Sequence, residues 1–432
     1  MVNPRLAFLA PTTLSWRELP KGANHHFIPK MTTESSIESS HPPSPVRHVP
    51  SLPTPSRPSS QKAVLPADQI GPAKERMFSL LHSHFVANCL YTVVNLGVPD
   101  VLGGETLTVR QIVDRIGNTD VNEDLLFRQL RLLSEETDGP RLFIESSSSN
   151  GGGDGDAEEF AYSLGPAGAL LQTNVAGQAS MACAVQHSFE RPLWSAWSEL
   201  PGATYGGSAI PPFTAANGSP VFEYYQAHPE SMVPFQEFMA TNSATAVDGM
   251  VEGYDWSQLE GKRVVDVGGG YGEVMSAVTE KYPDIEAYSL DLPGVIDMAP
   301  ALPDGSNVNL VGGDMFDPST IPPNCDVAFL RHILHDWTPD ACGRILESLH
   351  GALPDHGQLL IVDAVMPGPG VTGPFSKVQK QVDMLMAMFG GQERTLGQWT
   401  ELLENHGWEI DSVVENTPSL NLDGIITCSK GK

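Results

Sequence analysis

The chain has 432 residues, a formal net charge of −27 and a hydrophobic content of 41%, and this length predicts two folded domains plus a tail. Residues 1–66 carry a net charge of +4 and the rest −31, so the acidic body would repel phosphate backbones and anionic lipid. We therefore expect no nucleic-acid partner, and no membrane partner either, because no apolar run approaches the ~18 residues of a membrane helix.

The first 66 residues are rich in serine and proline ("HPPSPVRHVPSLPTPSRPSS") and lack a periodic apolar pattern. This composition predicts a disordered extension. The segment is also basic and poor in acids, which is typical of an organellar transit peptide, although no amphipathic arginine-rich helix is evident. We expect a cytoplasmic protein, with organellar import as the alternative. The five cysteines are scattered without a C-x-x-C pair, which predicts reduced thiols and no zinc knuckle.

Residues 67–175 show the pattern of helices followed by a β-hairpin. Helical spacing in "AKERMFSLLHSHFVANCLYTVVNLGV" is followed by "TVRQIVDRIG", with a capping box of Thr108 and Gln111, and by "NEDLLFRQLRLLSEE", with Asn122 as N-cap. Two strand-like pieces, "RLFIE" and "FAYSL", complete a predicted winged helix. The stretch from Met77 to Val98 is too apolar to face water, so we predict a homodimer through residues 69–135.

Residues 176–258 are predicted to be helical and rich in aromatic residues, most of them in a core and a few lining a pocket for a flat substrate. From residue 259 to residue 432, strands alternate with helices, which predicts an α/β domain with a mostly parallel sheet. In "VVDVGGGYGE" a buried strand meets a glycine loop and then a helix. The loop reads G-x-G-x-G (Gly268, Gly270, Gly272), and it matches neither the dinucleotide fingerprint nor a phosphate loop.

Acidic residues end the next two predicted strands. Asp291 lies 21 residues after Gly270, where a carboxylate can accept both hydroxyls of a ribose, and Asp314 with Met315 would meet an adenine ring. Arg331 ends the fourth strand and would face a carboxylate. S-adenosyl-L-methionine fits this pattern, because it combines adenosine with a cationic sulfonium and carries no phosphate.

These motifs, from "VVDVGGGYGEV" through "SLDLPGVI", "VGGDMF" and "LRHILHDW" to "GGQERT", resemble the plant-type small-molecule O-methyltransferases, which include the caffeic acid and acetylserotonin enzymes. The resemblance covers roughly residues 70–430. It implies a Rossmann-like class I methyltransferase domain with a mostly parallel seven-stranded sheet, preceded by an α-helical winged-helix dimerisation domain. It also implies donor binding by the residues named above at the glycine loop and the strand ends: Gly268, Gly270, Asp291, Asp314, Met315 and Arg331.

The segment "LRHILHDW" places His332 three residues before His335, a spacing that metal sites also use. We predict no metal, because the sequence shows no further His/Cys cluster. The resemblance implies that His335 removes the proton of the acceptor hydroxyl, with Asp363 and Glu393 as its flanking acids. For the two acids a strand-end cap and an ion pair with Arg394 remain the structural alternatives, and we expect His332 to be structural.

The methyl acceptor is predicted to be a small aromatic metabolite with a phenolic hydroxyl, contacted by Met384 and Met388 on one helix. The sequence does not identify this molecule. Two other functions stay open: a family member that has diverged to chemistry other than methylation, and a non-catalytic winged-helix regulator or scaffold.

Overall fold

The structure is a computed structural model that describes residues 65–135, 139–148, 159–173, 175, 180–206, 210–302, 306–373, 375–414 and 423–431, with residues 243–245 described by their backbone alone. The predicted disordered or targeting extension, residues 1–66, lies almost wholly outside the described residues.

The amino-terminal part is built from helices and a small antiparallel sheet. Its elements are α1 (Ala67–Asn95), α2 (Val98–Leu102), β1 (Leu107–Thr108), α3 (Val109–Ile116), α4 (Glu123–Leu133), β2 (Phe143–Ser148) and β3 (Glu159–Leu164). The strands pair in the order β1-β3-β2. The predicted capping box of Thr108 and Gln111 is confirmed, and so is the Asn122 N-cap, which together define where α3 and α4 begin.

A group of exposed apolar side chains lies on α1. They are Met77, Phe78, Leu80, Leu81, Phe85 and Val86, each at least 40% exposed. Among the described residues, α1 is the one helix that is long and apolar enough to cross a membrane by length and composition. Helices that pack against another protein surface meet the same two criteria. The absence of a membrane partner therefore remains a prediction.

The middle of the chain is helical, as predicted. Its elements are α5 (Pro166–Ala169), α6 (Ala182–Phe189), α7 (Arg191–Gly206), α8 (Pro212–Asn217), α9 (Val221–Ala227) and α10 (Pro229–Gly253). Phe213 and Tyr225 are fully buried in this layer, and Phe222 and Phe235 pack against them from α9 and α10. The aromatic residues of this segment therefore form both a core and one wall of a cavity, because Phe222 and Phe235 also line the cavity described below.

The carboxy-terminal part is an α/β layer structure. Its elements are a 3₁₀ helix (Trp256–Leu259), β4 (Arg263–Val267), α11 (Glu273–Lys281), β5 (Glu286–Asp291), α12 (Pro293–Ile296), β6 (Val308–Gly312), β7 (Val327–Arg331), a second 3₁₀ helix (Leu334–Asp336), α13 (Pro339–Ala352), β8 (Gln358–Asp363), β9 (Val365–Met366), α14 (Ser376–Phe389), β10 (Arg394–Thr395), α15 (Leu396–Asn405), β11 (Trp408–Val414) and β12 (Gly424–Lys430).

One seven-stranded sheet organises this part, with strand order β11-β12-β8-β7-β4-β5-β6. The pairs among β4 to β8 are parallel, and β12 is antiparallel to both β8 and β11, so the sheet is mixed. Parallel strands with helices on both faces are buried, and four of the five residues of both "RVVDV" and "VAFLR" are buried accordingly. Their carboxyl ends lie at one edge, so Asp291, Arg331 and Asp363 come from three strands to the same edge.

Candidate active site

A cavity of about 470 Å³ opens at the carboxyl edge of the sheet. One side consists of the glycine loop and the ends of β5, β6 and β7, and the other side consists of α9 and α10. The predicted donor-binding residues Gly268, Gly270, Asp291, Asp314, Met315 and Arg331 all line it. The structure therefore brings together six residues that the sequence spreads over four loops.

The glycine loop and Asp291 are joined directly. The backbone N–H of Gly270 donates to Asp291 Oδ2 at 2.9 Å, and the N–H of Leu292 donates to Oδ1 at 2.7 Å. Gly270 has φ 57°, in the left-handed region that glycine adopts without strain, and this conformation turns its N–H toward the acid. Burial raises the pKa of Asp291, and the two backbone hydrogen bonds oppose that rise. A carboxylate fixed in this way is pre-oriented for a ligand before the ligand arrives.

Asp266, which we did not single out from the sequence, lies beneath the glycine loop at the cavity wall. It is 3% exposed, and burial raises its pKa to about 8 although the positive charge of Arg331 acts in the opposite direction. The sequence does indicate Asp266, because the aspartate of "VVDVGGG" lies within an apolar run that predicts a buried strand, and a buried aspartate requires a partner or a function.

The charges around the cavity decide what kind of ligand fits it. Among its lining residues, the acids outnumber the two arginines: the acids are Glu223, Asp266, Glu273, Asp291, Asp314 and Asp336, and the arginines are Arg331 and Arg344. Such a wall repels a polyphosphate and favours a ligand with a positive centre and sugar hydroxyls. The residues present therefore fit S-adenosylmethionine and do not fit a nucleoside triphosphate.

The second feature of the site is a buried histidine between acids. His335 Nδ1 lies 2.8 Å from Glu393 Oε1 and 3.3 Å from Asp363 Oδ1, and its Nε2 lies 3.6 Å from Asp336 Oδ1. His335 is 8% exposed, and Asp363 and Glu393 are 0% and 5% exposed. The shorter distance identifies Glu393 as the hydrogen-bond partner of Nδ1.

Local structure holds this histidine in place. Thr338 caps α13 with Pro339 at its first position, a pattern that the sequence "WTPDACGRIL" already indicates, so the helix begins directly after the 3₁₀ turn that carries His335. The buried Arg394 donates to the carbonyl oxygen of Leu334 at 2.7 Å, and it therefore does not serve as the ion-pair partner suggested for Glu393. A Cβ on Gly391 would come within 2.0 Å of the His335 carbonyl oxygen, so glycine is required for the approach that brings Glu393 to the ring.

Electrostatics in this cluster are dominated by the acids. Burial lowers the pKa of His335, but the negative charges of Asp363, Asp336 and Glu393 outweigh it and raise the pKa to about 10. Burial raises the pKa of Asp336 to about 7 and that of Asp363 to about 6, against the opposing charge of His335. Asp363 also accepts the N–H of Ala364 at 2.9 Å, so it caps the strand end and faces the histidine at once.

The same three groups could hold a metal ion by distance alone. Ligand atoms of His335, Asp363 and Glu393 lie within 4.8 Å of one another. The sequence offered no visible cluster because these residues are far apart along the chain. Both acids face the same ring nitrogen of His335, Nδ1. Glu393 lies at hydrogen-bond distance and Asp363 at ion-pair distance, so both are placed to stabilise a proton on Nδ1. The expected absence of a metal remains a prediction.

His332 was expected to be structural, and the structure places it at the cavity. It lines the wall next to Arg331, and its Nε2 lies 2.9 Å from Asp423 Oδ1. Its ring stacks on that of His335, with centroids 5.1 Å apart. Asp423, which we also missed, is 91 residues away in sequence and precedes β12, so no local motif points to it.

The two methionines proposed for the acceptor have different environments. Met384 is 40% exposed and Met388 is fully buried, although both lie on α14. Neither is among the residues that line the cavity, whose apolar wall on the α9 and α10 side consists of Phe222, Met232, Phe235, Met239 and Ala240 together with Trp337. Their i, i+4 spacing places both residues on one helix and does not say which face of that helix meets the cavity.

Comparison with known proteins agrees with the site. Residues 197–409 match the model of the O-methyltransferase domain. Tricetin 3',4',5'-O-trimethyltransferase of Triticum aestivum is 30% identical over 336 residues, or 76% of this chain and 90% of that protein. Desmethyl-yatein O-methyltransferase of Sinopodophyllum hexandrum is 31% identical over 345 residues, or 78% of this chain and 92% of that protein.

Solved structures show the same architecture. Mitomycin 7-O-methyltransferase superposes with a TM-score of 0.72 at 25% identity, covering 85% of this chain and 100% of that chain. Human N-acetylserotonin methyltransferase, solved in complex with SAM, superposes with a TM-score of 0.69 at 18% identity, covering 83% of this chain and 98% of that chain. At this level of identity the comparison shows a shared fold alone. The class I methyltransferase fold and the predicted family are thus confirmed. The chain belongs to the O-methyltransferase family and is an O-methyltransferase.

Proposed function

We propose that this enzyme transfers a methyl group from S-adenosyl-L-methionine to a phenolic hydroxyl of a small aromatic metabolite, with His335 as the general base. The observation that carries the proposal is the 2.8 Å contact between His335 Nδ1 and Glu393 Oε1. This contact fixes one ring nitrogen on the buried side and leaves Nε2 toward Asp336, which lines the cavity. A base oriented through its other nitrogen is the arrangement that proton abstraction requires.

The donor would be held by residues of the sheet edge. Asp291 would accept the ribose hydroxyls, Asp314 and Met315 would contact the adenine, and Arg331 would face the methionine carboxylate. The acidic wall would favour the positively charged sulfonium. Bound S-adenosylmethionine supplies an electrophilic methyl group, and every other part of the reaction depends on how the protein places the acceptor and removes its proton.

The raised pKa of His335 matches the proton that it must take. A phenol has a pKa of ~10, so a base with a pKa of about 10 accepts its proton at little free-energy cost. With this pKa the imidazole of His335 is mostly protonated near neutral pH. The neutral form, which can accept the proton of the acceptor, becomes more abundant as the pH rises. Asp363, Asp336 and Glu393 then stabilise the imidazolium that forms when the acceptor loses its proton.

The acceptor class is supported by the cavity wall and by the relatives. Phe222 and Trp337 stack with centroids 5.2 Å apart, and Phe235 and Met239 line the same side, which suits a flat ring. The relatives named above act on tricetin and desmethyl-yatein. The buried His335 cluster also favours methyl transfer over the diverged chemistry that the sequence leaves open, and the acidic body disfavours a DNA-binding regulator.

The amino-terminal part would serve assembly. We propose that residues 67–175 form a winged-helix dimerisation domain, that residues 176–258 connect it to the acceptor side, and that residues 259–432 form the catalytic domain. The exposed apolar side chains of α1 would be covered by a second copy of the chain. A cytoplasmic location, with organellar import through residues 1–66 as the alternative, remains part of this proposal.

The test is a panel of phenols, catechols, flavonoids and N-acylserotonins incubated with methyl-labelled S-adenosylmethionine. We expect label on an aromatic hydroxyl oxygen of at least one class, with the same acceptors inert once that hydroxyl is methylated. Product labelled on nitrogen or carbon, or measurable donor binding with no labelled product across the panel, would contradict the proposed reaction.

A further inference from the structure

His332 has a backbone conformation that side-chain-bearing residues seldom adopt. Its φ is 53°, in the left-handed region, directly after β7. Its N–H donates to the carbonyl oxygen of Val362 at 3.1 Å, and its ring is anchored to Asp423, which is 4% exposed. A residue held in such a conformation by contacts with β8 and with the residue before β12 indicates a constraint imposed by the tertiary structure, and such outliers concentrate at functional sites.

The consequence of this conformation is a stacked pair of imidazoles. The His332 and His335 rings are 5.1 Å apart with an interplanar angle of 21°. Glu393 and Asp363 both approach His335 at Nδ1, at one edge of the ring. These two contacts fix that edge in position, whereas at the opposite edge Nε2 has a longer contact, 3.6 Å from Asp336 Oδ1, so the tilt of the ring is less constrained there. A flat group against the ring face limits that tilt.

We propose that His332, anchored by Asp423, is the positioning residue that sets the tilt of His335 and so aims its Nε2 at the acceptor hydroxyl. This inference rests on the proposed role of His335 as the base. His332 acts through His335 and has no reacting atom of its own. Its ring face is the part that matters, and the Asp423 contact fixes where that face lies.

The charge state of His332 agrees with this role. Burial lowers the pKa of His332, and the negative charge of Asp423 opposes that effect without reversing it. A neutral His332 donates its Nε2–H to Asp423 and adds no positive charge beside His335. The stack can therefore orient the base without opposing the protonation of His335 during the reaction.

The experiment compares two substitutions at His332 on full-length enzyme. His332→Asn keeps a residue that tolerates the left-handed conformation but removes the ring, and His332→Phe keeps the ring but removes the bond to Asp423. The same substitution at an exposed histidine, His356→Asn, is the matched control, because His356 Nε2 also lies 2.9 Å from an aspartate, Asp326. Each variant is assayed for kcat and KM with a phenol and with a nitrophenol that is already ionised.

We expect His332→Asn to lower kcat about 10- to 100-fold for the phenol, the size of effect that a misplaced group produces, with a smaller loss for the ionised nitrophenol and unchanged donor affinity. His332→Phe should retain more of the phenol kcat than His332→Asn, and His356→Asn should match the wild type. If His332→Phe does not fold, Asp423→Ala serves as the second variant, because it keeps the His332 ring but removes its anchor, and it should show a phenol-selective loss smaller than that of His332→Asn.

The outcomes separate this inference from the proposed function. The positioning role would be overturned if His332→Asn lost kcat equally on both acceptors, or if it kept the wild-type kcat on the phenol. In either case a phenol-selective loss in His335→Gln would still support His335 as the base. If His335→Gln itself shows no phenol-selective loss, the proposed function fails first and the positioning role fails with it.

Discussion

Glu393 Oε1 lies 2.8 Å from His335 Nδ1, although 58 residues separate the two in sequence. Asp363 approaches the same nitrogen at 3.3 Å, so two acids share one edge of the ring. The nearer acid is Glu393, and this distance favours Glu393 as the acid that orients the histidine. At the opposite edge of the ring, Nε2 lies 3.6 Å from Oδ1 of Asp336, a residue that lines the cavity, and the proposed role of His335 depends on this division.

The first prediction concerns the base. His335→Gln should lower turnover of a phenol by about 10²–10⁴, the usual range for the loss of a positioned base. The loss should be smaller with an ionised nitrophenol, because no proton remains to be removed. Steady-state kinetics with both acceptors measures this, with His356→Gln as the control at an exposed histidine. A variant equally impaired on both acceptors would mean that His335 only positions the acceptor.

The same assays test for a metal. Because His335, Asp363 and Glu393 could coordinate an ion by distance, incubation with EDTA is a direct check. We expect no change in kcat after chelation. Activity that is lost with EDTA and restored by zinc or magnesium would mean that His335 acts as a metal ligand and not as the base.

The second prediction concerns pH. His335 has a pKa raised to about 10 and must be neutral to act, so turnover of a phenol should rise with pH toward that value. Glu393→Gln removes one of the negative charges that raise this pKa, so the pKa should fall and the rising limb should move to lower pH. Asp336 and Asp363, with pKa values of about 7 and about 6, ionise at the lower end of the pH profile, below the limb expected near pH 10. Rate profiles from pH 6 to pH 10 measure the shift, and a limb that stays in place in Glu393→Gln would contradict it.

The third prediction concerns the donor. Asp291→Ala should weaken binding of S-adenosylhomocysteine about 10- to 100-fold, since a charge-assisted bidentate contact contributes ~1.5–3 kcal/mol. Part of this loss comes from the Gly270 N–H, which Asp291 no longer holds. Calorimetry measures the affinity, and Asp297→Ala, at the exposed end of α12, should leave it unchanged. Unchanged affinity in Asp291→Ala would remove this residue from the donor site.

The fourth prediction concerns assembly. Light scattering on the full chain should give about twice the mass of one chain, because the exposed apolar side chains of α1 require a partner. The double variant Leu81→Glu and Phe85→Glu should give a monomer, since it places charge in the contact. Leu170→Glu, at another exposed leucine, should stay dimeric. A wild-type protein that is monodisperse and monomeric at micromolar concentration would argue against the dimer, and flotation with vesicles would then show whether α1 binds lipid instead.

Local pattern was sufficient to predict much of this fold. The capping box of Thr108 and Gln111, the Asn122 N-cap and the start of α13 at Pro339 could be predicted because each is decided by residues within one helical turn. The buried parallel strands could be predicted because a strand covered on both faces must be apolar throughout. Family resemblance then named His335, Asp363 and Glu393, and the structure places them together.

Other features were decided only when distant segments met. Asp423 reaches His332 across 91 residues, and no spacing rule connects them. The left-handed backbone of His332 and the stack on His335 depend on β8 and on the start of β12, so a sequence pattern could not distinguish this histidine from a structural one. Met384 and Met388 show the same limit, because helical spacing does not say which face of α14 meets the cavity. By itself the sequence determined the elements, since these follow from short-range pattern, and its motifs determined the family, whose resemblance named His335 as the proposed base. The tertiary structure alone decided the orientation of the His335 ring, because orientation depends on contacts among segments that are far apart in the chain.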